Sequence, residues 1–220
     1  MFKHFFLLKQ SPKTVKLFIV VFYFIGIVGF MFPPTKEIFI KLIPFALLLS
    51  FGLLMLFNET EINKKTLIAF SIILTVSFMV EAIGVKTGMI FGNYTYGNGL
   101  GFQLFNTPLI IAINWLFMVY ASAVVVRKIK VKSFLKVILA SCVMVVYDGI
   151  LEQMAPKLDM WKWDGDVVPI QNYVAWFIFA LLFHFILGRM KIDIKNKIAK
   201  MLFFCQFLFF VILFLVSCVI

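Results

Sequence analysis

Histidine is nearly absent from this chain: His4 and His184 are the only two in 220 residues. Cysteine occurs three times, as Cys142, Cys205 and Cys218, each inside an apolar run and with no pairing pattern. These counts exclude a histidine-rich di-iron box, a Cys/His metal set and a disulfide framework. The thiols are expected as buried small hydrophobes, and His184 as a lone polar contact. No glycine-rich phosphate loop leads into a soluble helix, and no dinucleotide fingerprint occurs. An aspartate-rich diphosphate motif is also missing. Charge is scarce, at 14% of residues, with only ten acids among them.

Apolar sequence is abundant. The chain is 63% hydrophobic with a mean hydropathy of +1.05, far above the composition of a soluble domain. Runs near the ~20 residues that a bilayer requires recur along it. The expected fold is an all-α, polytopic membrane protein in one domain, residues 1–220, with spans near 17–32, 38–57, 66–84, 108–126, 133–153, 170–188 and 199–219. The basic N-terminus lacks a small-residue cleavage site, so the first run is expected as an uncleaved helix.

The net charge of +11 does not point to nucleic acid, because the lysines fall between the spans, where they set topology and meet anionic headgroups. On this numbering 16 of the 21 Lys and Arg fall on one side of the membrane: the N-terminal tail, the 58–66 loop, and the segments from Arg127 to Lys136 and Arg189 to Lys200. Lys36, Lys41, Lys86, Lys157 and Lys162 fall on the other. The asymmetry predicts a multi-pass protein of the cytoplasmic membrane, N-terminus inside and C-terminus outside.

Polar, aromatic and glycine residues cluster from Glu81 to Trp115 and again from Asp148 to Trp176. The spans carry them to one outer third of the membrane. Glu81 ends the third span, Asn114 and Trp115 lie in the fourth, Asp148 and Glu152 end the fifth, and Asn172 and Trp176 open the sixth. Ionisable side chains at that depth are costly and usually mark a working site.

Asp148 and Glu152 are spaced i, i+4 and share a helix face. Two carboxyls that close in a poorly solvated place do not easily both ionise, so one keeps a proton and can act as a general acid. The bland alternative puts both at headgroup level, solvated or paired with Lys157. Glu81 either belongs to the site or pairs with Lys86. Trp115 and Trp176 offer ring faces that can stabilise a cation or simply pack. Tyr94, Tyr96, Trp161 and Trp163 fit either the site or an interfacial aromatic belt. Six of the twelve glycines lie between 84 and 101; interleaved with aromatics, they suggest a folded re-entrant cap more than a plain loop. Acids, asparagines and aromatics facing a lipid-soluble substrate point to proton-initiated carbocation chemistry on an isoprenoid.

The same stretches resemble the membrane carotenoid biosynthesis family that includes the hydratases of acyclic carotenoid end groups and bisanhydrobacterioruberin hydratase. The matching residues are Glu81, Gly84, Thr87, Gly88, Phe91, Gly92, Tyr94, Tyr96, Pro108 and Trp115, then Asp148, Glu152, Trp161, Trp163, Pro169, Asn172 and Trp176, within roughly 80–180. One departure is visible: the family tends to have proline directly after the second acid, whereas here Gln153 follows Glu152 and the proline is Pro156.

The resemblance implies addition of water across the terminal C1=C2 bond of a linear carotenoid. Asp148 or Glu152 would be the acid, Trp115 and Trp176 the cation wall, and Asn114, Asn172 or Glu81 the water holders. Tyr94, Tyr96, Trp161 and Trp163 would line the site. No cofactor and no metal is required. The expected partners are the carotenoid, the bilayer and other enzymes of the pathway. An end-group cyclase, sharing the protonation without water capture, and a proton-coupled transporter or lipid-binding protein stay open as alternatives.

Overall fold

The computed structural model describes residues 12–219. His4 and the tail lysines Lys3 and Lys9 lie outside the described residues. Among the described residues seven helices follow one another: α1 Pro12–Met31, α2 Pro33–Leu56, α3 Lys64–Thr87, α4 Ile110–Val126, α5 Ser133–Met154, α6 Ile170–Arg189 and α7 Ala199–Val219. Six are long and apolar enough to cross a membrane. The exception, α4, has 17 residues and a length of about 26 Å, a little under a typical hydrocarbon core. It is also the most enclosed, touching α2, α3, α5, α6 and α7.

Local chemistry sets the helix ends. Pro33 and Pro34 force extended backbone on Phe32 and open α2 at once, because proline suits the first helical turn. Thr35 Oγ1 donates to the carbonyls of Gly29 (2.7 Å) and Phe32 (3.0 Å) and so closes α1. Asn63 caps α3, its Oδ1 accepting from the Thr66 amide at 3.1 Å. Gly88 ends α3 in the left-handed region, φ +65°, with its N–H returned to Gly84 O at 2.8 Å.

The helix surface is apolar, as a bilayer requires. Phe18, Phe24, Phe45, Phe134 and Phe185 are among many large side chains exposed on it. This corrects the expectation for the thiols: Cys142 and Cys218 are exposed and only Cys205 is partly covered. Against lipid, a thiol needs no protein burial.

Three basic segments meet at one end of the bundle. Glu59 N–H donates to Lys195 O at 2.9 Å, Arg127 pairs with Asp193 at 2.9 Å, and Lys136 Nζ donates to Arg127 O at 2.8 Å. The hydrogen bonds from Arg127 hold the Asp193 carboxyl down at about 2.

At the other end the glycine-rich segment folds into a cap. Strand β1 (Tyr94–Tyr96) and a short antiparallel pair, β2 (Gln103–Leu104) with β3 (Thr107–Pro108), lie between α3 and α4. Strand β4 (Trp161–Trp163) lies between α5 and α6 and pairs antiparallel with β1, Tyr94 opposite Trp163 and Tyr96 opposite Trp161. Side chains alternate across a strand, so the four rings turn inward while Thr95 and Lys162 face out. Gly92, at φ +105°, sits where a Cβ would meet the Pro169 ring at 2.5 Å; that contact packs the cap on the start of α6.

Candidate active site

Glu81 lies two turns before the end of α3 and is 3% exposed. Tyr94 and Tyr96 donate their hydroxyls to its Oε2 at 2.7 and 2.8 Å. Trp115 donates Nε1–H to Oε1 at 2.8 Å. Its partners are therefore three neutral donors from the cap and α4, and the alternative pairing with Lys86 is not what the structure has. Hydrogen bonds to a carboxylate are worth about 1.5–3 kcal/mol each, enough in threes to offset much of the cost of burying it.

Glu152 repeats the design one helix away. Trp161 and Trp163 donate their indole N–H groups to Oε2 at 2.9 and 2.7 Å. The ribbon thus spends the two rings of β1 on Glu81 and the two rings of β4 on Glu152. These four aromatics are buried or half-buried, not spread along a belt facing headgroups. Burial and the adjacent Glu81 carboxyl push the Tyr94 and Tyr96 hydroxyls well above the ordinary phenol range, so both remain donors.

Asp148 is fully buried. The Asn172 amide bridges the pair, its Nδ2 donating to Asp148 Oδ2 and Glu152 Oε1 at 3.0 Å each. Asp148 Oδ1 has no partner. Glu152 is 3% exposed, and Lys157 Nζ donates to Ser217 Oγ at 2.9 Å; the solvated, lysine-paired alternative is set aside. The missing proline after Glu152 lets α5 continue to Met154, and Pro156 then starts a short 3₁₀ turn.

Glu81, Glu152, Asn172, Trp176 and the four ribbon rings enclose a cavity of about 20 Å³, room for about one water. Trp115 and Trp176 stack with centroids 4.1 Å apart and planes 21° apart. Trp176 reaches the cavity, while Trp115 sits behind it with Phe183 on its edge. Of the two expected cation-wall residues, Trp176 therefore faces the cavity and Trp115 orients Glu81. Asp148 does not border this cavity, and Asn114 borders a neighbouring one instead. His184 contacts Ser122 Oγ at 3.0 Å and Ala180 O at 2.7 Å, as a lone polar contact would.

Two residues that the sequence argument missed stand beside Asn114: Tyr147 and Gln206, each with a buried oxygen lacking a partner. Gln206 carried a signal, as the one amide inside the apolar run of α7.

Fold and site together define an integral membrane protein of the α-helical class with three buried carboxyls held by neutral donors under a folded cap. The family model described as carotenoid biosynthesis protein matches residues 42–220, and the chain belongs to that family. The match extends well beyond the 80–180 core in which the resemblance was visible. No curated protein and no solved structure matches the chain significantly.

Proposed function

We propose that within carotenoid biosynthesis this protein is a hydratase of acyclic end groups. The observation that carries this is the acid cavity: two carboxyls, an amide and a tryptophan face around a space for one water. A proton from the Asp148–Glu152 pair adds to C2 of the terminal double bond and leaves a tertiary cation at C1. Asp148 is assigned the proton, because Oδ1 is the one carboxyl oxygen of the three acids that receives no hydrogen bond. Asp148 does not itself border the cavity; Glu152, joined to it through Asn172, does, and delivers the proton of the pair. The Trp176 face and the Glu81 carboxylate stabilise the cation. Water bonds to C1, and its spare proton restores the acid pair. The sum is alkene plus water giving a tertiary alcohol, with no electrons exchanged.

The cavity is smaller than the end group, so side chains of the cap or Ile111 must turn aside to admit it. The test is expression in a lycopene-producing host grown in isotope-labelled water, with mass spectrometry of the pigments. The expected product is heavier than its substrate by one water and carries the label. Label arriving from molecular oxygen would exclude a hydratase, and a product isomeric with the substrate would establish the cyclase.

A further inference from the structure

A groove of about 320 Å³ lies between α1, α2 and α7, beside the cap. Its walls are phenylalanines and aliphatic side chains, with Leu158 and Met160 of the cap at one end and, among the described residues, no charged one. Two polar side chains reach it. The hydroxyl of Tyr23 is bound to Ser50 Oγ at 3.0 Å. Gln206 is 3% exposed and its Oε1 has no partner.

Gln206, with Leu47, Met160 and Phe210, also borders a second space, a chamber of about 20 Å³ that Asn114 and Tyr147 line as well. The Tyr147 hydroxyl is likewise buried without a partner. Ile111 and Trp161 then border both this chamber and the acid cavity. Groove, chamber and acid cavity thus form a series in which each space shares side chains with the next. An unpaired buried polar atom costs about 1–3 kcal/mol, so two of them around one chamber call for a guest that hydrogen-bonds. The chamber has room for a single hydroxyl or water.

We infer that the groove takes the linear apolar chain of the substrate from the bilayer, and that Gln206, Tyr147 and Asn114 bind a hydroxyl, of water or of an alcohol on the chain, at its inner end. The inference deepens the hydratase proposal and rests on it for the identity of the chain. An elongate isoprenoid fits better than a phospholipid, because among the described residues no lysine or arginine lines the groove to meet a phosphate. The α2 wall from Phe39 to Leu49 runs about 15 Å, a length suited to a chain laid along it. The α1 wall lies before the family match, which begins at residue 42.

The experiment uses the full chain in nanodiscs, with lycopene as probe, and measures retained pigment by absorbance separately from conversion. Ala46→Trp and Leu42→Trp fill the groove; Leu42 is 45% exposed, so added bulk there does not strain the interior. Each should lower retention about tenfold, equivalent to roughly 1.4 kcal/mol of binding, with an unchanged melting temperature. Gln206→Leu should keep lycopene retention. It should weaken retention of a hydroxylated chain if the guest is an alcohol, or slow conversion alone if the guest is water. Wild-type retention in both tryptophan variants would overturn the groove, and an effect of Gln206→Leu on neither readout would overturn the hydroxyl site. Pigment held by the wild type but never hydrated would sink the hydratase proposal and leave the groove standing.

Discussion

On the proposed mechanism, Asp148→Asn should separate catalysis from folding. The side chain keeps its shape and retains an oxygen to accept from Asn172 Nδ2, now 3.0 Å away. The new amide nitrogen takes the place of Oδ1, which has no partner already. The stability cost is therefore small, on the order of 1 kcal/mol. Glu152→Gln is different. Three N–H donors converge on Glu152, two on Oε2 and one on Oε1. A glutamine amide must turn its own donor toward one of those sets and strand at least one buried N–H, at about 1–3 kcal/mol each.

The catalytic effect runs in the opposite order. General acid catalysis is typically worth 10²–10⁴-fold, about 3–5 kcal/mol of barrier. Because protonation also creates the cation in the proposed mechanism, Asp148→Asn should fall at the upper end or beyond, and Glu152→Gln should lose less. The assay is conversion of lycopene by purified protein, beside thermal unfolding in the same detergent. Near-normal conversion by Asp148→Asn, with loss in Glu152→Gln or Glu81→Gln, would move the proton donor to the other acid. If all three variants stay active, the carboxylic-acid mechanism fails.

A reporter active only in the cytoplasm should be silent when fused at the C-terminus and active in the 127–136 loop; the reverse pattern would invert the proposed orientation. Gly92→Ala should loosen the cap, since both its φ of +105° and the Pro169 ring oppose a Cβ; a loss of roughly 1–3 kcal/mol and faster proteolysis between 88 and 109 are expected, and an unchanged digestion pattern would contradict the packing. Tyr94→Phe and Trp163→Phe should each destabilise the cap by about 1–3 kcal/mol by removing a donor from a buried carboxyl, measurable as a lower melting temperature. The Asp193 carboxyl is held at about 2, below its unfolded value, so its pairing stabilises the fold above about pH 4 and is lost as pH falls toward 2. Both partners are exposed, so Asp193→Asn should cost under about 1 kcal/mol, seen as a small, salt-sensitive shift in unfolding temperature.

The seven helices were legible because hydropathy is a local sum. A run of apolar residues must be helical in a bilayer whatever it packs against, so spans near 133–153 and 199–219 fall within a residue of α5 and α7. The clustering of Glu81, Asp148, Glu152, Asn172 and Trp176 was legible for a related reason. Span ends fix depth, and residues at equal depth in neighbouring helices are brought to one end of the bundle.

Rotation about each helix axis is not fixed by depth. Asn114 and Trp115 are adjacent in sequence and equal in depth, yet about 100° apart around the helix; Trp115 meets Glu81 while Asn114 faces the chamber of Tyr147 and Gln206. The ribbon was equally out of reach, because its register joins residues some seventy positions apart. Hydropathy and charge by themselves determined a helical membrane protein with buried acids at one end. Only the tertiary structure decided which donor meets which acid, since that choice depends on helix rotation and strand register, and both are set by contacts between segments distant in the chain.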